Sequence, residues 1–161
     1  KTGKHAAESI SNNLKKEITE KRSLNPRFYD SMGTLLVRLL EDHKKGIVEY
    51  KDFLEKVVAL AKKIKYGEKP RAQSINTPRL KVLYDNAPVP RRHAERFPEQ
   101  FALVMDRKCA EMQAGFQDPL SLRYREARFL IQEGLEELAD EFGLDINDEA
   151  IEKIFNLAKL Y

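Results

Sequence analysis

Cysteine, tryptophan, long apolar runs and alternating strand patterns are scarce or missing in this 161-residue chain. The apolar runs extend only a few residues, as in Val57-Val58-Ala59-Leu60-Ala61. A membrane-crossing helix needs about 20, so no such helix and no membrane partner is expected. The amino end carries no signal-peptide pattern. The single cysteine, Cys109, excludes an internal disulfide and a multi-cysteine zinc site. So little thiol chemistry fits a reducing, cytoplasmic compartment. No stretch alternates with period two long enough to form a strand. Internal repeats and low-complexity tracts are also missing. The chain begins at Lys1, without an initiator methionine and already close to a helical pattern, as an excised piece of a longer protein would.

What the chain does contain is charge, unevenly placed. Residues 1–93 carry 21 Lys and Arg against 11 Asp and Glu, whereas residues 94–161 carry 8 against 15. A basic face suited to phosphate or an acidic partner, and a separate acidic face, are both expected; two solvated faces are the plainer reading. The length suits one domain with a real core, so 1–161 is read as a single domain, acidic in its second part.

Apolar residues recur at helical intervals. Phe28, Met32, Leu35, Leu36, Leu39 and Leu40 make one stripe, and Phe53, Leu54, Val57, Val58, Leu60, Ala61 and Ile64 a second. A third runs through Leu120, Tyr124, Ala127, Ile131, Leu135, Leu138 and Phe142, with Gly143 as its stop. Asn25-Pro26, Thr77-Pro78 and Asp118-Pro119 each place a capping residue before a proline, Pro98 opens a further helix, and Asn147 caps the last. Together these predict an all-α fold of about seven helices in an irregular bundle: 5–21, 26–43, 48–66, 78–86, 98–114, 119–142 and 148–160. Segments 67–77 and 87–97, rich in proline and basic residues, are expected to be loops.

The candidate chemistry is thin. Lys1-Thr2-Gly3-Lys4 lacks the spacing of a phosphate-binding loop and the strand that precedes one. Glu49-Tyr50-Lys51 matches half of a metal-dependent nuclease motif, but the tripeptide reads more simply as an acidic helix start. Cys109 shares a helical pattern with Phe101, Met105 and Met112, so it reads as a buried structural thiol. The three histidines, His5, His43 and His93, are too scattered to activate it. Glu136-Glu137, Asp140-Glu141 and Asp145 to Glu149 make an acidic stretch, either a solvated face or a docking surface, without the ligand pattern of a calcium loop. The densest basic cluster is Lys62, Lys63, Lys65, Lys69 and Arg71, at a helix end and into the following loop. Positive charge suits a helix carboxy terminus, and contact with phosphate or an acidic partner is the functional alternative. No catalytic, cofactor or metal residues are assigned.

Three segments carry a resemblance. The first is Ser11-Asn12-Asn13-Leu14-Lys15-Lys16, followed by Asn25-Pro26-Arg27-Phe28-Tyr29-Asp30-Ser31-Met32 and Leu35-Leu36. The second runs from Tyr50-Lys51-Asp52-Phe53-Leu54-Glu55-Lys56-Val57-Val58 to Leu60-Ala61-Lys62-Lys63-Ile64. The third, the most specific, is Ile75-Asn76-Thr77-Pro78 with Leu80 and Leu83-Tyr84-Asp85-Asn86. In this order and spacing they resemble the carboxy-terminal region of type I restriction enzyme motor (R) subunits. The resemblance covers about residues 6–86 and fades beyond. Where the family has a Trp-Arg-Gly-Asn type segment, this chain has Gly115-Phe116-Gln117-Asp118-Pro119, without the tryptophan.

The resemblance implies a larger parent, an ATP- and magnesium-dependent type I site-specific deoxyribonuclease with a nuclease domain and two helicase lobes. This chain would be its non-catalytic carboxy-terminal domain, joining the motor to the modification and specificity subunits. A direct DNA-binding module using the basic face of 1–93 is the alternative. Asn25 and Thr77 are expected as caps, Phe28, Tyr29, Met32, Leu80, Leu83 and Tyr84 as packing residues, and Asp85 and Asn86 as a helix end.

Overall fold

The computed structural model describes residues 2–67, 72–112 and 122–161, among which there are seven helices and no strand. The all-α expectation holds. The chain folds as two compact units, Lys1–Pro70 and Arg71–Tyr161, each with its own hydrophobic cluster. The sequence reading of one domain over 1–161 did not anticipate that division. Apolar periodicity marks which face of a helix is buried but not which core it joins.

The first unit holds α1 (Thr2–Lys21), α2 (Pro26–Lys44) and α3 (Tyr50–Tyr66), each packed on the other two. Asn25 opens α2 by accepting the Phe28 N–H at 3.4 Å, and Pro26 follows where a missing N–H costs nothing. The core is made by Ala7, Leu14, Met32, Leu36, Phe53, Val57, Leu60 and Ile64, with Phe28 and Tyr29 half-buried against it. Met32, Leu36, Phe53, Val57, Leu60 and Ile64 are the inward edges of the first two stripes. Ser11, buried beside this core, donates its hydroxyl to the Ala7 carbonyl at 2.8 Å. The Tyr50 hydroxyl accepts the Ala7 N–H at 3.1 Å, which ties the start of α3 to α1.

The second unit holds α4 (Pro78–Asp85), α5 (Phe97–Met112), α6 (Leu122–Phe142) and α7 (Asp148–Ala158). Helix α5 packs on α4 and α6, and α7 packs on α6 and α4. Thr77 caps α4 by accepting the Leu80 N–H at 3.1 Å, and Asn147 caps α7 by accepting the Ala150 N–H at 2.9 Å. The core centres on Phe97, Phe101, Met105, Ile131, Leu135, Phe142 and Phe155, all essentially inaccessible. Leu80 and Leu83 join it, and Tyr84 packs on its edge. Helix α4 ends at Asp85, and the Asn86 side chain donates to the Val82 carbonyl at 2.8 Å. Helix α5 starts at Phe97, one residue before the expected Pro98. The start of α6 expected at Asp118-Pro119 and the Gly115–Pro119 segment lie outside the described residues.

Candidate interaction surfaces

The basic cluster sits at the carboxy end of α3. Lys62, Lys63 and Lys65 are exposed there, and the helix ends as the Gly67 N–H donates to the Lys63 carbonyl at 2.8 Å. Lysines in the last turn complement the helix dipole without any ligand. Helical geometry splits the three, since Lys62 and Lys65, three residues apart, share a face and Lys63 lies on another. At about 100° per residue, Lys63 and Lys65 flank the buried Ile64 on opposite sides, and Lys62 faces away from it. The Lys65 ammonium lies over its neighbour's ring, 5.2 Å from the Tyr66 centroid. Lys69 and Arg71 lie outside the described residues.

Of the described three, Lys63 lines a groove. That groove runs between α2 and α3, has a volume of about 280 Å³, and is floored by Leu35, Leu39, Ala59 and Leu60. Its charged lining is Lys63, Lys56 and Arg38. Neither Arg38 nor Lys56 belongs to the basic cluster. Each is an isolated cation on the edge of an apolar stripe; the short loop at Gly46 implies that the two helices pair as a hairpin, but not that these side chains share a groove. On the other side of α2 a wider groove of about 550 Å³ is lined by Ile18, Tyr29, Asp30, Gly33, Thr34, Val37 and Arg38. Its carboxylate, Asp30, is held by Arg22 at 2.6 Å.

The two units handle charge differently. Unit 1 carries 16 Lys and Arg against 10 Asp and Glu, and unit 2 carries 13 against 16. The acidic stretch of unit 2 is met by cations of the same unit. Arg107 reaches Glu137 at 2.7 Å, and Lys108 reaches Glu137 at 3.1 Å and Glu133 at 3.7 Å. Arg96 pairs with Glu141 at 3.6 Å, Arg91 with Asp145 at 2.7 Å, and Arg128 with Glu152. Hydrogen bonding to Lys108 holds the Glu137 carboxyl below its ordinary range, and the same bond raises Lys108. Exposed pairs contribute little stability one by one, but together they neutralise much of this face.

The loop before α5 supplies two of those cations, Arg91 and Arg96. The Arg91 and Arg92 N–H groups donate to the Phe142 carbonyl at 2.9 and 3.0 Å, and the Arg92 guanidinium reaches the carbonyls of Asp140 and Glu141. These contacts satisfy the carboxy end of α6, whose last carbonyls have no partner within the helix. Arg79 pairs with Asp106 at 2.7 Å. Of the basic residues counted in 1–93, Arg79, Arg91 and Arg92 are therefore engaged inside unit 2.

The remaining candidates take structural places. Thr2–Lys4 belong to α1 rather than to a phosphate loop. Tyr50 and Lys51 open α3, with Glu49 as the residue before it and its carbonyl accepting the Phe53 N–H at 2.9 Å. Burial pushes the Cys109 thiol up to about 11, which disfavours the thiolate a nucleophile needs. His43 stacks on Phe53 with centroids 4.1 Å apart, and His93 meets the edge of Phe142. Among the described residues no group of three or more His, Cys, Asp or Glu is placed to hold a metal ion, and no helix is long and apolar enough to cross a membrane.

No protein-family model matches this chain, and neither do any curated protein or any solved structure.

Proposed function

We propose that this chain is a non-catalytic assembly domain, the carboxy-terminal part of a type I restriction enzyme motor subunit. It helps seat the ATP-dependent DNA translocase and endonuclease on the modification and specificity subunits. The observation that carries the reading is the order and spacing of the three segments between residues 6 and 86. Their residues are used for building. Asn25 and Thr77 cap helices, Met32, Phe53, Val57, Leu80 and Leu83 fill cores, and Asn86 closes α4. On this reading the ATP, magnesium and cleavage chemistry belongs to other parts of the parent. The test is to mix the chain with purified modification–specificity core and follow complex formation by size-exclusion chromatography. Co-elution is expected, and separate elution at every salt concentration refutes the reading.

A direct DNA-binding module is the second reading, favoured by the excess of cations in unit 1. Phosphate contacts release counterions, so each one contributes a log–log salt slope of about −0.9. Changing Lys63, Lys65 and Lys69 together to alanine flattens that slope if the cluster touches DNA, and leaves it unchanged if it does not.

A further inference from the structure

We infer that the groove between α2 and α3 is a docking site for an acidic amphipathic helix of a protein partner. One or two apolar side chains of that helix enter the groove, and its carboxylates meet the cationic rim. This inference is read from unit 1 alone and stands apart from the family resemblance.

The groove combines two chemistries. Its floor of Leu35, Leu39, Ala59 and Leu60 is apolar, and all of its charged lining residues, Arg38, Lys56 and Lys63, are cationic. The carboxylates of the same two helices, Asp30, Glu41, Asp42, Asp52 and Glu55, are not among the lining residues. Arg38 and Lys56 are exposed, and neither has an ion-pair partner among the described residues. Unit 2 treats its cations otherwise, setting Arg79, Arg96, Arg107, Lys108 and Arg128 against its own carboxylates. Unit 1 likewise sets Lys21 against Glu17 and Arg22 against Asp30, but the partners of Arg38 and Lys56 are left to be supplied from outside.

The apolar floor decides the class of partner. A DNA backbone presents phosphates but no apolar group to fill a cavity between leucines. An amphipathic helix presents both, with apolar anchors three or four residues apart and charges beside them. A volume of about 280 Å³ suits one or two such anchors rather than a broad face. The long aliphatic stems of Arg38 and Lys56 extend the apolar wall while their charged ends stay in water. The surplus of cations over the whole unit, 16 against 10, adds attraction at longer range.

The test uses the whole chain, isotope-labelled, and a synthetic helical peptide with leucine at positions i, i+3 and i+7 and glutamate on the flanks. The same peptide with lysine for glutamate, and a short duplex DNA, are the comparisons. Amide shifts on adding the acidic peptide should centre on Leu35, Arg38, Leu39, Lys56, Ala59 and Lys63. Affinity should fall with added salt, and by about tenfold or more in the double variant Arg38→Glu/Lys56→Glu. The neutral pair Arg38→Gln/Lys56→Gln should weaken binding less, and unchanged far-UV circular dichroism separates lost binding from lost folding. The inference is overturned if the acidic peptide binds no better than its lysine counterpart, or if the shifts lie elsewhere. It is equally overturned if the double variant binds as before, or if duplex DNA engages these residues more tightly than the acidic peptide does.

Discussion

Replacing Gly143 with alanine should cost unit 2 more than the same change at Gly46 costs unit 1. Both glycines have positive φ, +69° and +73°, where a Cβ crowds its own backbone. That conformational cost is about 1–2 kcal/mol at either site. A Cβ at Gly46 would meet nothing within 4 Å, so the backbone term is the whole effect there. A Cβ at Gly143 would lie 2.9 Å from the Cβ of Arg91 and 3.2 Å from the Arg92 guanidinium. The Arg92 guanidinium can swing aside, but the Arg91 Cβ moves only with its backbone. That backbone is held by the Arg91 and Arg92 N–H groups on the Phe142 carbonyl, at 2.9 and 3.0 Å. Weakening these bonds costs about 0.5–1.5 kcal/mol each. Gly143→Ala should therefore destabilise by about 2–5 kcal/mol, against about 1–2 for Gly46→Ala. Urea titrations followed by far-UV circular dichroism measure both. A cost at Gly143 no greater than at Gly46 would refute the idea that the loop before α5 is locked onto the end of α6.

Three further outcomes are expected. The Cys109 thiol has its folded pKa raised from about 9 to about 11 by burial, so the unfolded chain loses this proton first. Stability from this group is complete below pH 9 and falls between pH 9 and 11, by about 3 kcal/mol in all, and thermal melts of wild type against Cys109→Ala should diverge in that window. Removing the caps with Thr77→Ala or Asn147→Ala should cost about 1 kcal/mol each in the same urea titrations, and no change would mean that these side chains do not close their helices. The chain should neither hydrolyse ATP nor cleave DNA with magnesium present; activity that co-purifies with it and disappears in Glu49→Ala or Lys51→Ala would reinstate the site set aside at α3.

The fold was legible where its signals are local. Asn25-Pro26, Thr77-Pro78 and Asn147 each announce a helix start, because a cap needs only the next three residues. Gly143 announces a stop for the same reason, and its N–H donates to the Ala139 carbonyl at 2.8 Å. Cys109 was readable as buried from its spacing with Phe101 and Met105. What was not legible depends on residues far apart in sequence. The stretch after Arg128 reads as unrelieved negative charge, yet Arg107 and Lys108 meet Glu137 from 30 and 29 positions away, and Arg91 meets Asp145 from 54. Likewise Arg38, Lys56 and Lys63 share a groove only because α2 and α3 pack side by side. The lysine run at 62–65 is prominent in sequence, yet a helix turns adjacent side chains about 100° apart, so Lys62 and Lys65 share a face while Lys63 points elsewhere, towards the groove.

Binding of the chain to the modification–specificity core, measured at equilibrium across a salt series, tests the assembly reading most directly. Wild type should form a complex without DNA, and that complex should persist when duplex DNA is removed by nuclease. No complex at any salt concentration, or a complex that forms only when DNA bridges the two, would contradict it.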